Sequence, residues 1–117
     1  MKALKIDTLT KTITYVELAT WRDIAPAIGN GCTTFACPVT LDNGDTMYID
    51  DEGLFNDFDG GIIMEDWNTP IVGNIILLNQ DEDGESTDAV SDPAELLKQI
   101  KFISKDLCQR YVNSLSY

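Results

Sequence analysis

The chain predicts a small α+β domain: a mostly antiparallel sheet of about five strands, a short helix after the second strand, and a long C-terminal amphipathic helix on one face. Three observations carry this. Asp42-Asn43-Gly44-Asp45 separates two runs of strand character. Its Asn-Gly pair is a strong hairpin signal, because both central residues of a two-residue turn need positive φ. Pro70–Leu78 is a continuous apolar run of strand length, which predicts a central strand buried on both faces and pairs it with Met47–Leu54. Finally, Ile100, Ile103, Leu107, Tyr111 and Leu115 continue from Leu96 at three- and four-residue steps. That spacing predicts a helix of about five turns.

Taken in order, Lys2–Asp7 alternates as a strand, Thr8–Lys11 turns, and Thr12–Leu18 returns with β-branched residues. Thr20, with Asp23 three residues on, predicts a capped helix through Ile28, with Trp21, Ile24, Ala25 and Ile28 on one face. Pro26 keeps that helix short or irregular. Phe35, Cys37 and Val39 share a face at period two within a strand over Thr33–Leu41, and Thr46–Asp50 returns antiparallel. Gly53 is expected at positive φ in the acidic turn that follows. Ile62-Ile63-Met64 reads as a further edge strand, and 80–91 as an acidic flexible loop. Asp92-Pro93 then supplies a helix N-cap and first residue.

The 117 residues suit one domain with a single core, and 44% hydrophobic content argues against wholesale disorder. No run of about 18 apolar residues is present, and Met1–Lys5 lacks the apolar core of a signal peptide, so the expectation is a cytoplasmic protein away from the membrane. Three cysteines (Cys32, Cys37 and Cys108) and no histidine argue against a disulfide framework or a zinc module, and predict buried free thiols.

Charge is the most informative feature. The net charge is −12. Residues 1–41 sum to +1 and 96–117 to +3, whereas 42–95 hold sixteen acids and no lysine or arginine. Direct nucleic-acid binding through a basic surface is thereby disfavoured. A field of this sign favours basic partners or cations, or simply solubility.

The candidate chemistries are few. Asp50-Asp51-Glu52 crowds three carboxylates, but adjacent residues on a strand point to opposite faces, so no catalytic pair is implied. Asn79-Gln80-Asp81-Glu82-Asp83-Gly84 starts like an EF-hand loop, yet position 12 is Val90 and the preceding element is a strand. No phosphate-binding glycine signature is present. Trp67 with Asn68, Asn56, Phe55 and Phe58 makes either an aromatic-and-amide ligand patch or, with Trp21, part of the core.

The Met1-Lys-Ala-Leu-Lys-Ile-Asp7 hairpin, the Met47-Tyr-Ile-Asp-Asp-Glu-Gly-Leu54 segment and Pro70-Ile-Val-Gly-Asn74 resemble a family of small uncharacterised phage, plasmid and bacterial proteins, catalogued as a domain of unknown function. The resemblance spans Met1–Leu78 and supplies no catalytic residues. It implies a mobile-element accessory protein that acts on a host or defence protein.

The expectation is therefore a non-enzymatic phage-type accessory protein without cofactor or metal. It would bind a basic host protein, such as a nucleic-acid-binding one, through an acidic surface that imitates nucleic acid. The expected contact residues are Asp50, Asp51, Glu52, Asp57, Asp59, Glu65, Asp66, Trp67, Asp81, Glu82 and Asp83. The alternatives are a small-molecule or nucleotide module built around Trp67 and a structural protein that forms a homo-oligomer.

Overall fold

Two antiparallel sheets share one core. The larger orders its strands β2-β1-β7-β4-β3, from β1 (Lys2–Asp7), β2 (Thr12–Glu17), β3 (Phe35–Thr40), β4 (Thr46–Asp50) and β7 (Ile75–Gln80), with the short β8 (Ser86–Thr87) added to the end of β7. The smaller orders β6-β5-β9, from β5 (Gly60–Met64), β6 (Trp67–Val72) and β9 (Ile100–Ser104). This architecture comes from a computed structural model, which describes residues 1–53, 57–65 and 67–115. The side chains of Trp67 and Asn68 are outside that description.

Strand β7 explains why the larger sheet holds. Ile75, Ile76, Leu77 and Leu78 are all fully buried, alternate residues facing opposite layers. Each such side chain contributes roughly 1.5–3 kcal/mol by leaving water. Ile75 and Leu77 join Leu4, Ile6 and Met47 against Ile62, Met64 and Ile71 of the second sheet. Ile76 and Leu78 join Ala3 and Tyr48 beneath α1 (Ile24–Ile28). The outer face of the smaller sheet is covered by α3 (Lys105–Ser114), whose Cys108 is buried with Val72 and Ile103.

The apolar run at Pro70–Leu78 thus splits between the sheets: Pro70–Val72 belongs to β6, and only the part from Ile75 onward is the central strand. The crossing is fixed by buried Asn74. Its Oδ1 accepts from the Thr8 N–H and Oγ1 at 2.9 Å each, and its Nδ2 donates to the Ile28 carbonyl at 3.0 Å. Met47–Asp50 does pair with this run, Met47 opposite Leu77, while Leu54 lies outside the described residues.

The single C-terminal helix is the main correction. The chain forms α2 (Pro93–Gln99), then β9, then α3. Asp92 caps α2 by accepting from the Ala94 N–H, as Asp-Pro suggests, but Ile100–Ser104 pairs with β5 along five residues. Alternation sends Ile100 and Phe102 towards the inter-sheet core and Ile103 towards Cys108. Satisfying β5 outweighs helix continuity, and Ser104 recaps the chain into α3 through the Leu107 N–H. Leu107 and Leu115 are exposed.

Other details also differ. The described residues hold nine strands rather than about five, and β5 is the middle strand of its sheet rather than an edge. It carries Gly61 because a Cβ there would sit 2.4 Å from the Ile71 carbonyl oxygen. The Thr20–Asp23 capping box is present and opens a 3₁₀ turn (Trp21–Asp23) ahead of α1. Trp21 is outside the core at 55% exposure. Gly53 does not adopt positive φ. At Asn43-Gly44 only the glycine does, so the hairpin uses a three-residue loop closed by a Leu41 N–H to Asp45 carbonyl bond. No helix of the described residues is long and apolar enough to cross a membrane.

Candidate partner-binding groove

Most of the described acids of 42–95 fall into two groups, and strand direction decides which. Because β4 and β7 are antiparallel with Thr46 opposite Leu78, the Asp42–Asp45 tip and the Asp81–Glu85 turn occupy the same end of the larger sheet. Asn79 Nδ2 ties them, donating to the Asn43 carbonyl at 3.2 Å and to Asp45 Oδ1 at 2.9 Å. Asp50-Asp51-Glu52 turns at the other end of β4, about 15 Å away by strand rise. Asp57 and Asp59 lead into Gly60, whose carbonyl accepts from the Gly73 N–H, and so belong to that second end. The separation exceeds the screening length of about 8 Å at physiological salt, so each group acts as its own field.

Of the expected contact residues, the structure therefore brings Asp50, Asp51, Glu52, Asp57 and Asp59 to one end and Asp81, Glu82 and Asp83 to the other. Glu65 stands apart, in a shallow depression shared with Lys98 and Lys101. Asp66, Phe55 and Asn56 and the side chains of Trp67 and Asn68 lie outside the described residues, while Phe58 is buried. Segment 80–91 carries a further hairpin, β7–β8, and is anchored along its length. Asp88 Oδ1 accepts from the Lys2 N–H at 2.8 Å, and the Ala89 N–H donates to the Lys2 carbonyl.

Asp45 is the buried exception among these acids. Its carboxylate accepts from Asn79 Nδ2, from the Val90 and Ser91 N–H groups, and from Ser91 Oγ at 2.6 Å. Burial alone would raise its pKa; the hydrogen bonds from Ser91, Val90 and Asn79 outweigh burial and hold it below the usual carboxylate value. Sequence reading gave no sign of this role, because the residue looks like any other turn acid.

A groove runs along one open side of the sandwich. Strand β3 ends the larger sheet, and two clefts meet at its Pro38: one faces Met64 of β5 and the Ser91–Gln99 segment that carries α2, and the other faces β6, the end of the smaller sheet. The first, of about 610 Å³, has an apolar floor of Val39, Leu41, Met64 and Leu96, with Asp42, Asp92 and Glu95 on its rim. The second, of about 270 Å³, is walled by Ile49, Pro70 and Ile71, with Asp50 and Asp51 beside them. Neither is lined by a lysine or arginine among the described residues. Glu95 holds an exposed pair with Lys98 at 3.2 Å, a contact worth little in solvent.

Chemistry elsewhere is sparse. All three cysteines are free, and only Cys108 is buried; Cys32 is half-buried and Cys37 exposed. Burial, with the Asp50 carboxylate beside it, pushes the Cys32 thiol up to about 11, so it stays protonated near neutral pH. No described group of three or more Asp, Glu or Cys side chains is arranged to hold a metal ion. A third cleft, of about 600 Å³, lies on the α1 side between Trp21, Phe35, Tyr48 and Glu85, with the Arg22 guanidinium 5.2 Å from the Trp21 ring centre. Comparisons of the chain with protein-family models, curated proteins and solved structures return no match.

Proposed function

We propose that this protein is a non-catalytic binding module that docks a basic protein partner on its acidic face, in the manner of a mobile-element accessory protein acting on a host protein. One observation supports it above the rest. Of the sixteen acids in 42–95, Asp66 lies outside the described residues, and of the others Asp45 alone is buried. Asp50 aside, Glu95 is the one acid among them that enters a salt bridge of the described residues. A field left so open to solvent steers a cationic surface and speeds its encounter. The clustering of acids at two ends supports a partner with two basic patches.

Affinity capture from a host-cell lysate, washed at low and then high salt, tests this reading. A single retained protein that elutes with salt, and rebinds when purified, carries it. Retention indifferent to salt sinks it, because exposed charges are screened within about 10 Å at moderate ionic strength.

The small-molecule alternative rests on a different observation, the cleft beside half-exposed Trp21. Its size falls in the range of ligand pockets. It predicts a melting-temperature rise with a nucleotide or metabolite that is insensitive to salt and lost in Trp21→Ala.

A further inference from the structure

We propose that the groove along β3, bounded opposite by α2 at one end and by β6 at the other, seats a protein segment in which lysines or arginines alternate with aliphatic residues. This rests on the basic-partner reading above and names the contact that reading leaves open. Three features specify the occupant. The floor is apolar and runs along β3 and the residue after it, from Ala36 to Leu41, about 17 Å at strand rise. An extended segment of similar length matches it, presenting side chains to the floor at every second residue. Carboxylates stand at both ends, Asp42, Asp92 and Glu95 at one and Asp50 and Asp51 at the other, with no lysine or arginine lining the clefts among the described residues. The aliphatic side chains at every second position then meet the apolar floor, and the long lysine or arginine side chains between them reach over to the carboxylates at the two ends.

The other occupants suit it poorly. A second copy of the chain would bring net charge −12 against −12. Its strand edge would also meet Pro38, which has no N–H to give, and the irregular register between Ala36 and Val39. A nucleic-acid backbone would be repelled by the same carboxylates.

The test is fluorescence anisotropy at low salt with two labelled peptides of about nine residues, one alternating lysine with valine and one alternating lysine with glycine. The peptides carry equal charge, so electrostatics alone binds them alike. The lysine–valine peptide should bind at least about tenfold tighter, since each buried methylene adds a severalfold gain. Combining Asp42→Asn, Asp92→Asn and Glu95→Gln should weaken it about tenfold, while the same kind of change at Asp81, Glu82 and Asp83 moves it less than about twofold. Asn at position 92 still caps α2, so the fold survives the substitution. Equal affinity for the two peptides, or a loop variant that weakens binding as much as the groove variant, overturns the groove while leaving the basic-partner reading standing. Failure of both peptides to bind at low salt overturns both.

Discussion

Two hairpin tips at one end of the larger sheet are built alike and used differently. Leu41–Asp45 and Asp81–Glu85 each close with a bond from the first N–H to the fifth carbonyl. Each also has a bond from the fourth N–H to the first carbonyl and a glycine at positive φ in fourth place. In each, an Asx side chain steadies the turn: Asn43 Oδ1 accepts from the Asp45 N–H, and Asp81 Oδ1 from the Asp83 and Glu85 N–H groups. The fifth residue separates them. Asp45 points inward and fastens Val90 and Ser91 to the hairpin, while Glu85 is exposed. The same backbone turn therefore yields a structural carboxylate in one tip and a surface carboxylate in the other, and long-range packing assigns the roles.

Asp45→Asn should break the comparison most severely. The new amide turns a donor towards donors and leaves the buried Ser91 N–H and the partly buried Val90 N–H poorly met, a loss of about 3 kcal/mol. Urea denaturation measures it. Glu85→Gln, its counterpart, should change stability by less than about 0.5 kcal/mol. Acid titration adds a signature. Because the folded Asp45 pKa is depressed, its contribution is complete above the ordinary carboxylate value of 3.8 and disappears as pH falls through the folded value. The wild-type protein should lose stability over that acidic window, and Asp45→Asn should show a shallower acid limb. Equal acid limbs would mean that Asp45 is not held as an ion.

The glycines sharpen the same contrast. A Cβ at Gly44 would lie 3.1 Å from Asn79 Nδ2 as well as requiring positive φ, whereas at Gly84 it would meet open space. Gly84→Ala should cost about 1 kcal/mol, the left-handed penalty alone. Gly44→Ala should cost about 2 kcal/mol, because Asn79 must also give way and with it the tie to Asp45. Thermal unfolding of the two variants side by side measures the difference.

What could be read from the chain follows the same division between local and distant causes. The Asn43-Gly44 turn, the Thr20 cap, the Asp92-Pro93 helix start and the β1–β2 pairing are written in neighbouring residues, and all are present. Ile100 and Ile103 satisfy a helical step and a strand alternation equally well, and only pairing with β5 selects the strand. Gly73-Asn74 looked like part of one apolar run because the partners of Asn74, at Thr8 and Ile28, are remote in sequence. The groove was half visible: Asp50 and Asp51 stood out by crowding, but Asp42, Asp92 and Glu95 join only in the fold, where the residues after β3 and those of α2 line one cleft.

The smallest expected effect is also the most discriminating. Asp81→Asn, Glu82→Gln and Asp83→Asn together remove three exposed charges from the second tip. Asn at 81 retains the oxygen that accepts from Asp83 and Glu85, so stability should stay within about 0.5 kcal/mol of wild type. Affinity for a purified basic partner should then change less than about twofold, the loss being confined to the rate of encounter, which rim charges chiefly control. A slower association rate with an unchanged dissociation rate would place this tip at the rim of the contact. A faster dissociation would instead make the second tip a direct contact and reverse the division between the two turns.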